Sequence, residues 1–583
     1  MRGDLTPPEP ACGRLTPTGT TLALGGTPSV AFPHGRPRGR RARRWARPAG
    51  WLGACLLALI APLAQAQALW LDDAGRPRPA AHQAVRWLTD AASHGLLPQD
   101  YDAAGLAQAV RQADAQPLPS EATAPFDAAL TSHVLDYLRD LRHGRVDATQ
   151  QLGAHYNSAT APAPDLTAAL RDAVSRGQPD DAQRAAWPPW PPYVDLHKAL
   201  GRYRALGDHP AWQARLPALP GGRLQAGQAW AGVPTLAARL QALGDLPAPA
   251  TTTGTYTAAL QKAVQSFQAR HGLTVDGVLN KPTLDALAVP PAARARQIAL
   301  AMERLRLTPL PEAVRFVTVN VPEFMLRALR HEAGSVQQDL QMRVIVGKAL
   351  DTRTPLFDED MRWIEFSPYW NIPPSIARKE TVPRLRASPG YLAVQGMEFV
   401  SAGGQVSTAV TPAQLDAVMA GSARIRQRPG PRNALGDIKF MLPNNQNIYL
   451  HHTPSPGLFN RTRRDFSHGC VRIEEPVALA LWVLHDQPEW TEARVRQSMG
   501  RPRPVIARLT EPVPVLLLYQ TAVADGDTVH FVPDLYGQDA LLERALQQPR
   551  TPRPAAAANE SASPPALHTR AGAAEKIAAE STH

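Results

Sequence analysis

The chain has 583 residues, 44% of them hydrophobic, with 58 Pro and only 6% aromatics; this is room for roughly three or four domains of ordinary core joined by Pro-rich linkers. The net charge of +11 suggests nucleic acid, but residues 1–66 hold nine Arg against one Asp and one Glu, which leaves only +4 on the remainder. A basic nucleic-acid surface is thereby excluded as the organising feature, and attention moves to the N-terminus.

Residues 1–35 are rich in Pro, Gly and Thr and read as unstructured chain, or as sequence upstream of the true start. A basic run from Arg36 to Arg47 then precedes the apolar stretch Trp51–Leu63 and the small residues of Ala64-Gln65-Ala66. That order predicts an export signal over 36–66, its apolar core too short to span a bilayer comfortably; contact with a membrane would come only through an uncleaved signal. Of the three cysteines, Cys12 and Cys55 precede the expected cleavage site. Cys470 is left alone, without a disulfide partner in an oxidising compartment, as either an inert or a reactive thiol.

From 80 to 225 the pattern is helical. Ala84, Trp87, Leu88 and Ala91 keep helical spacing, as do Leu130, Val134, Leu135 and Leu138. His143-Gly144 reads as a helix stop, and Trp187–Tyr193, with four prolines, as a rigid extended break. Over 231–289 a shorter unit follows. Leu236, Leu240 and Leu243 mark one helix; Tyr256, Leu260, Val264 and Phe267 form the stripe of a second, ended by His271-Gly272; Thr283 opens a third after the Asp276-Gly277 turn. Ala263-Val264, Phe267-Gln268, His271-Gly272-Leu273 and Asp276-Gly277-Val278 resemble a peptidoglycan-binding module.

From about 312 the period shortens. Phe316–Val321, Met342–Gly347, Asn447–His451 and Val513–Tyr519 are predicted strands, with a helix near Val477–His485. The β-rich domain should run to about 540, and 549–583, rich in Ala, Pro, Ser and Glu, should be a disordered tail. The whole is an α+β multidomain chain.

Chemistry concentrates in Ile448-Tyr449-Leu450-His451 and in Ser467-His468-Gly469-Cys470-Val471-Arg472, whose cysteine lies 19 residues after His451. On a strand, Tyr449 and His451 share one face. A thiol with a pKa near ~8.5 is mostly protonated at neutral pH, so it needs a base to become a nucleophile; an imidazole can take that proton, hold the thiolate as an ion pair, and later protonate a leaving amine. Gly469 would let backbone N–H groups approach a developing oxyanion. Neither a metal-ligand cluster nor a phosphate loop is evident, and no cofactor is expected.

The Ser467–Arg472 segment with upstream His451 resembles the catalytic signature of L,D-transpeptidases of the YkuD type. The resemblance extends to Met342–Gly347, Thr354-Pro355, Pro368–Pro373, Arg426–Pro431, Asn433–Gly436 and Lys439-Phe440, and to the domain order of the large periplasmic members. It implies Cys470 as the acylated nucleophile and His451 as the base. The oxyanion hole would come from backbone N–H groups at Gly469 and Cys470. A substrate site would hold Tyr449, Ser467, His468 and Arg472, with Trp370 and Asn371 opening a lid over about 370–435. The substrate would be peptidoglycan stem peptides, the location periplasmic and wall-associated, the partners glycan polymerases or carboxypeptidases, and carbapenems would acylate Cys470. The implied reaction is 3-3 cross-linking with release of D-alanine. Its competitors are an L,D-carboxypeptidase or protein-attaching enzyme on the same site, and a non-catalytic wall-binding scaffold. A cysteine peptidase of NlpC type would place its Cys before its His, the reverse of the order here.

Overall fold

A computed structural model of the protein describes residues 68–157, 164–247 and 254–549. The expected signal, the leading 35 residues, and the tail beyond Pro549 lie outside the described residues. The fold is α+β: a helical N-terminal region, a three-helix module and a β-rich C-terminal region. Among the described residues no helix is long and apolar enough to cross a membrane.

Helices Pro79–Thr89, Ala103–Ala115, Ser120–His143, Leu166–Ser175 and Pro192–Leu206 bury their apolar stripes in one core. Ordered chain begins before the first predicted helix. Trp70 is fully buried, its indole N–H donating to Thr131 Oγ1 at 2.8 Å and its backbone N–H to Asp127 at 2.8 Å. The predicted break at Trp187–Tyr193 ends sooner than expected, because Pro192 and Tyr193 already belong to the next helix; the fixed φ of proline suits a first helical turn.

Helix Pro291–Leu307, not among the predicted elements, joins this core through Ala295, Ile298, Met302 and Leu305. Its charges resemble a solvated face, yet Glu303, Arg304 and Arg306 are all buried. Glu303 pairs with Arg306 at 2.7 Å and accepts the backbone N–H of Arg145 at 2.5 Å; Arg306 reaches Tyr193 Oη at 2.8 Å. Buried charges persist only when paired and hydrogen-bonded in this way.

The three-helix module (Val233–Ala242, Ala258–Arg270, Lys281–Ala288) has its own core of Leu236, Leu240, Val264, Phe267 and Leu287. Gln268, fully buried, stitches its turn: its amide donates to Asp276 Oδ1, Val278 O and Thr283 Oγ1 and accepts the Gly277 N–H.

The C-terminal region is built on a nine-stranded sheet. Its members are β1 (Arg315–Asn320), β2 (Met325–Glu332), β3 (Ser335–Gly347), β4 (Phe357–Phe366), β9 (Ile438–Met441), β10 (Leu450–His451), β11 (Asp465–Ser467), β12 (Val471–Ile473) and β13 (Val505–Leu518). The order is β11-β3-β12-β10-β9-β4-β13-β1-β2, and the long β3 also pairs with β2, so the sheet closes on itself. Between β4 and β9 a four-stranded subdomain is inserted: β5 (Trp370–Asn371), β6 (Met397–Ser401), β7 (Val406–Ser407) and β8 (Ala423–Gln427), with helix Pro412–Ala420. It has a separate core around Ile372, Leu385, Phe399, Leu415 and Ile425. A small hairpin, β14 (Ala522–Asp525) and β15 (Thr528–Phe531), and helix Gln538–Gln547 complete the region.

The helical core makes one prediction about stability. His94 is 2% exposed, stacked on His197 with ring centroids 4.3 Å apart and Nδ1 3.1 Å from Tyr193 Oη. Burial, with the charges of His197 and Arg306, holds its pKa down to about 2. The unfolded chain takes up this proton near pH ~6.5, so stability is intact above that pH and falls as pH drops toward the folded value. Replacing His94 by Gln should flatten the loss by about 1.4 kcal/mol per pH unit between about pH 6 and 4. Urea unfolding followed by Trp fluorescence, with Trp187 5.4 Å from His94, reads the difference; equal slopes in the two chains would contradict it.

Candidate active site

The register of four strands assembles the site. Ile364, Phe440, Leu450 and Val471 are cross-strand partners on β4, β9, β10 and β12, and all four are completely buried in the core. Side chains alternate along a strand, so the next residue on each strand faces the other way. Those residues are again partners: Glu365 with Lys439, Lys439 with His451, His451 with Arg472. The sheet thus carries a transverse row of Glu, Lys, His and Arg on the face opposite its core, and Cys470 directly precedes the last of them.

The expected strand at 447–451 shortens to Leu450–His451, because Asn447 adopts φ +56°. Tyr449 still shares a face with His451, the rings meeting edge-on with centroids 5.7 Å apart. The turn at Asn447 brings its carbonyl to Cys470, whose thiol donates to it at 3.4 Å. Tyr449 touches the sulfur twice, through its hydroxyl and its backbone N–H.

Ser467, expected at the substrate, is 2% exposed and clamps the turn that carries Cys470. Its hydroxyl donates to Cys470 O at 2.5 Å and accepts the Gly469 N–H at 3.1 Å. The Gly469 N–H, expected to serve an oxyanion hole, is therefore spent inside the turn. Gly469 itself has φ +120°, and a Cβ there would press on Ile448 Cδ1 at 3.2 Å; glycine suits both constraints. From below, Thr354 Oγ1 donates to Gly469 O at 2.8 Å and accepts the Gly347 N–H at 2.9 Å.

The charge states depart from a preformed ion pair. Enclosure pushes the Cys470 thiol up, opposed by its hydrogen bonds to Tyr449 and the charges of Lys439 and Arg472. Burial first, then the Arg472 charge, drives His451 down to about 3, against hydrogen bonds to the backbone of His452 and Leu435. At neutral pH the two groups rest as thiol and neutral imidazole. His451 Nδ1 bonds the His452 carbonyl, which fixes the ring. His452, the neighbouring alternative for the base, has its own Nδ1 engaged with Asp437 at 2.7 Å.

The other expected residues divide. Trp370 donates to the Tyr449 hydroxyl, tying the inserted subdomain to the site. Asn371, one residue on, is exposed and pairs along β5 with Arg426 of β8. His468 Nε2 lies 2.8 Å from Glu380 Oε1, a second tie between the Cys470 turn and the subdomain. Arg472 is largely enclosed, and its buried Nε has no hydrogen-bond partner. Sequence reasoning gave Lys439 and Glu365 no role; alternation on β9 and β4 carried the signal, but only strand order and register join them to His451. Among the described residues, no group of three or more His, Cys, Asp or Glu is placed to hold a metal ion.

Residues 314–507 match the L,D-transpeptidase catalytic domain, YkuD; residues 63–200 match a scaffold domain; residues 231–287 match a family described as "Putative peptidoglycan binding domain". A Haemophilus influenzae protein named "Putative L,D-transpeptidase" is 33% identical over 249 residues, 42% of this chain and 49% of that protein. The chain thus matches about half the length of this relative. Among solved structures, a fused Zn-dependent amidase/peptidase/peptidoglycan-binding protein from Clostridium acetobutylicum is 11% identical, over 51% of this chain and 98% of that one, at a TM-score of 0.15. Bd1075 of Bdellovibrio bacteriovorus is 15% identical, over 40% of this chain and 54% of that one, at 0.16. Neither structural likeness carries the assignment. The matches over sequence do: the β-rich region is a YkuD-type L,D-transpeptidase catalytic domain, borne on a chain with a scaffold domain and a peptidoglycan-binding domain.

Proposed function

We propose that this chain is an exported, wall-associated L,D-transpeptidase that joins peptidoglycan stems by 3-3 cross-links through a thioester on Cys470. The observation that carries the reading is the sheet row ending in His451 and Arg472 beside a partly exposed Cys470, within a matched L,D-transpeptidase domain. As the sulfur attacks the carbonyl carbon before the terminal D-alanine of a tetrapeptide stem, His451 takes the thiol proton. The tetrahedral intermediate collapses, the C–N bond breaks, and His451 returns the proton to the departing amine. The amine of a second stem then attacks the thioester, His451 accepts its proton, and the thiol is restored. Arg472, with an unspent buried Nε, is suited to a stem carboxylate. With Gly469 engaged by Ser467, the oxyanion falls to the Cys470 N–H, assisted by Tyr449.

The 370–435 insertion acts as the lid, held by Trp370 on Tyr449 and Glu380 on His468. Export rests on the 36–66 signal, and the peptidoglycan-binding domain keeps the enzyme on its polymer substrate. Glycan polymerases and carboxypeptidases, which generate strands and tetrapeptide stems, are the partners this chemistry requires.

Four outcomes are expected. Incubated with purified muropeptides, the chain should yield dimers with loss of D-alanine, and its Cys470→Ala variant none, as read by mass spectrometry. D-alanine loss without dimers would make it a carboxypeptidase; no change at all would favour a wall-binding scaffold. Replacing His451 by Gln should slow acylation by about 10²–10⁴-fold. Because His451 stays neutral down to about pH 3, the rate of Cys470 acylation by a carbapenem should hold nearly level from about pH 7 to 5. A decline of about tenfold or more, as expected of a base titrating near ~6.5, would refute this resting state. Finally, Ser467→Ala removes two hydrogen bonds from the nucleophile turn, and should lower the acylation rate by about tenfold, at a local cost of about 1–3 kcal/mol.

A further inference from the structure

Lys439 occupies a distinctive place. On β9 it is the cross-strand partner of both Glu365 and His451, so it sits second in the transverse row. Its ammonium lies over the Tyr449 ring, 4.2 Å from the centroid. Tyr449 in turn holds the Cys470 sulfur through hydroxyl and backbone N–H. A lysine stacked on an exposed ring is a weak contact, but an enclosed ammonium over an aromatic face gains substantially from desolvation. An enclosed cation also requires a counter-charge, and Glu365 on β4 is the carboxylate beside it, largely enclosed as well.

We propose that Lys439, seated by Glu365, is a positioning residue for the nucleophile: it fixes Tyr449 against Cys470 and supplies a half-buried positive charge that favours the thiolate as it forms. The proposal rests on the reading of Cys470 as the nucleophile. The charged and titratable groups facing the sulfur are Tyr449 from the approach to β10, Lys439 from β9 and Arg472 from β12; those facing Lys439 are Glu365, Tyr449, His451 and Cys470 itself. His451, held neutral, supplies no charge to the resting thiol, so the standing cations near it are Lys439 and Arg472. The division of labour is then specific. His451 moves the proton, and Lys439 stabilises the charge the proton leaves behind.

The test reads the thiol directly and does not depend on transpeptidation. The rate of carboxamidomethylation of Cys470 by iodoacetamide is measured against pH on the chain, on Lys439→Met and on Lys439→Arg, with thermal melts alongside. In Lys439→Met the midpoint of the pH profile should rise by about one unit and the rate at about pH 8 should fall about tenfold. Lys439→Arg, which keeps the charge, should stay within about threefold of the parent. Should Lys439→Met fail to fold, Lys439→Gln replaces it with the same expectation. A folded neutral variant with the parent profile overturns the proposal, as does an Lys439→Arg profile displaced as far as that of the neutral variant. Failure of the transpeptidase reading would show elsewhere, as a normal alkylation profile in a chain that makes no acyl-enzyme.

Discussion

Everything at this site depends on strand register. A slip of one residue would exchange the two faces of β9, β10 and β12, sending Lys439, His451 and Arg472 into the core and Phe440, Leu450 and Val471 out. The register is held because the core-facing set is completely buried and apolar, so burial of Ile364, Phe440, Leu450 and Val471 specifies the position of the chemistry on the other side. Hydrophobic packing and catalytic geometry are here two faces of one constraint. The close packing of Gly436 adds to it: a Cβ there would fall 2.8 Å from His452 Cβ, so the entry to β9 and the exit from β10 approach as only a glycine permits.

The turn that carries Cys470 shows the same economy. The hydroxyls of Ser467 and Thr354 tie the backbone of Gly469 and Cys470 to each other and to the end of β3. A rigid turn matters to the proposed reaction, in which a thiol that rests protonated must meet its base and its electrophile together in one step. A resting neutral thiol also guards Cys470 against oxidation, since the thiolate is the form that oxidises readily.

Much of this was legible in the residues. Period-2 alternation placed Tyr449 and His451 on one face, and the isolated Cys470 with its Ser-His-Gly lead marked the chemistry. The three-helix module was legible in the stripe from Tyr256 to Phe267 and in the Asp276-Gly277 turn. What could not be read is what long-range pairing creates. Glu365, Lys439 and Arg472 are separated by more than a hundred residues from first to last and become neighbours only through the strand order β4-β9-β10-β12. Local sequence also does not show that the Ser467 hydroxyl turns inward to bond Gly469 and Cys470. Helix Pro291–Leu307 carries Glu303, Arg304 and Arg306, charges that local sequence alone would leave in solvent, yet all three are buried, Glu303 paired with Arg306 and Arg304 with Asp539.

The central claim is that Cys470 carries the acyl group between two amines. Intact-protein mass spectrometry after brief mixing with a tetrapeptide muropeptide, followed by acid quench and peptide mapping, tests it most directly. The account predicts an adduct on Cys470 equal to the donor stem less D-alanine, discharged on adding an acceptor amine. An adduct on another residue, or D-alanine release with no adduct at any mixing time in a chain whose Cys470→Ala variant is equally active, would contradict it.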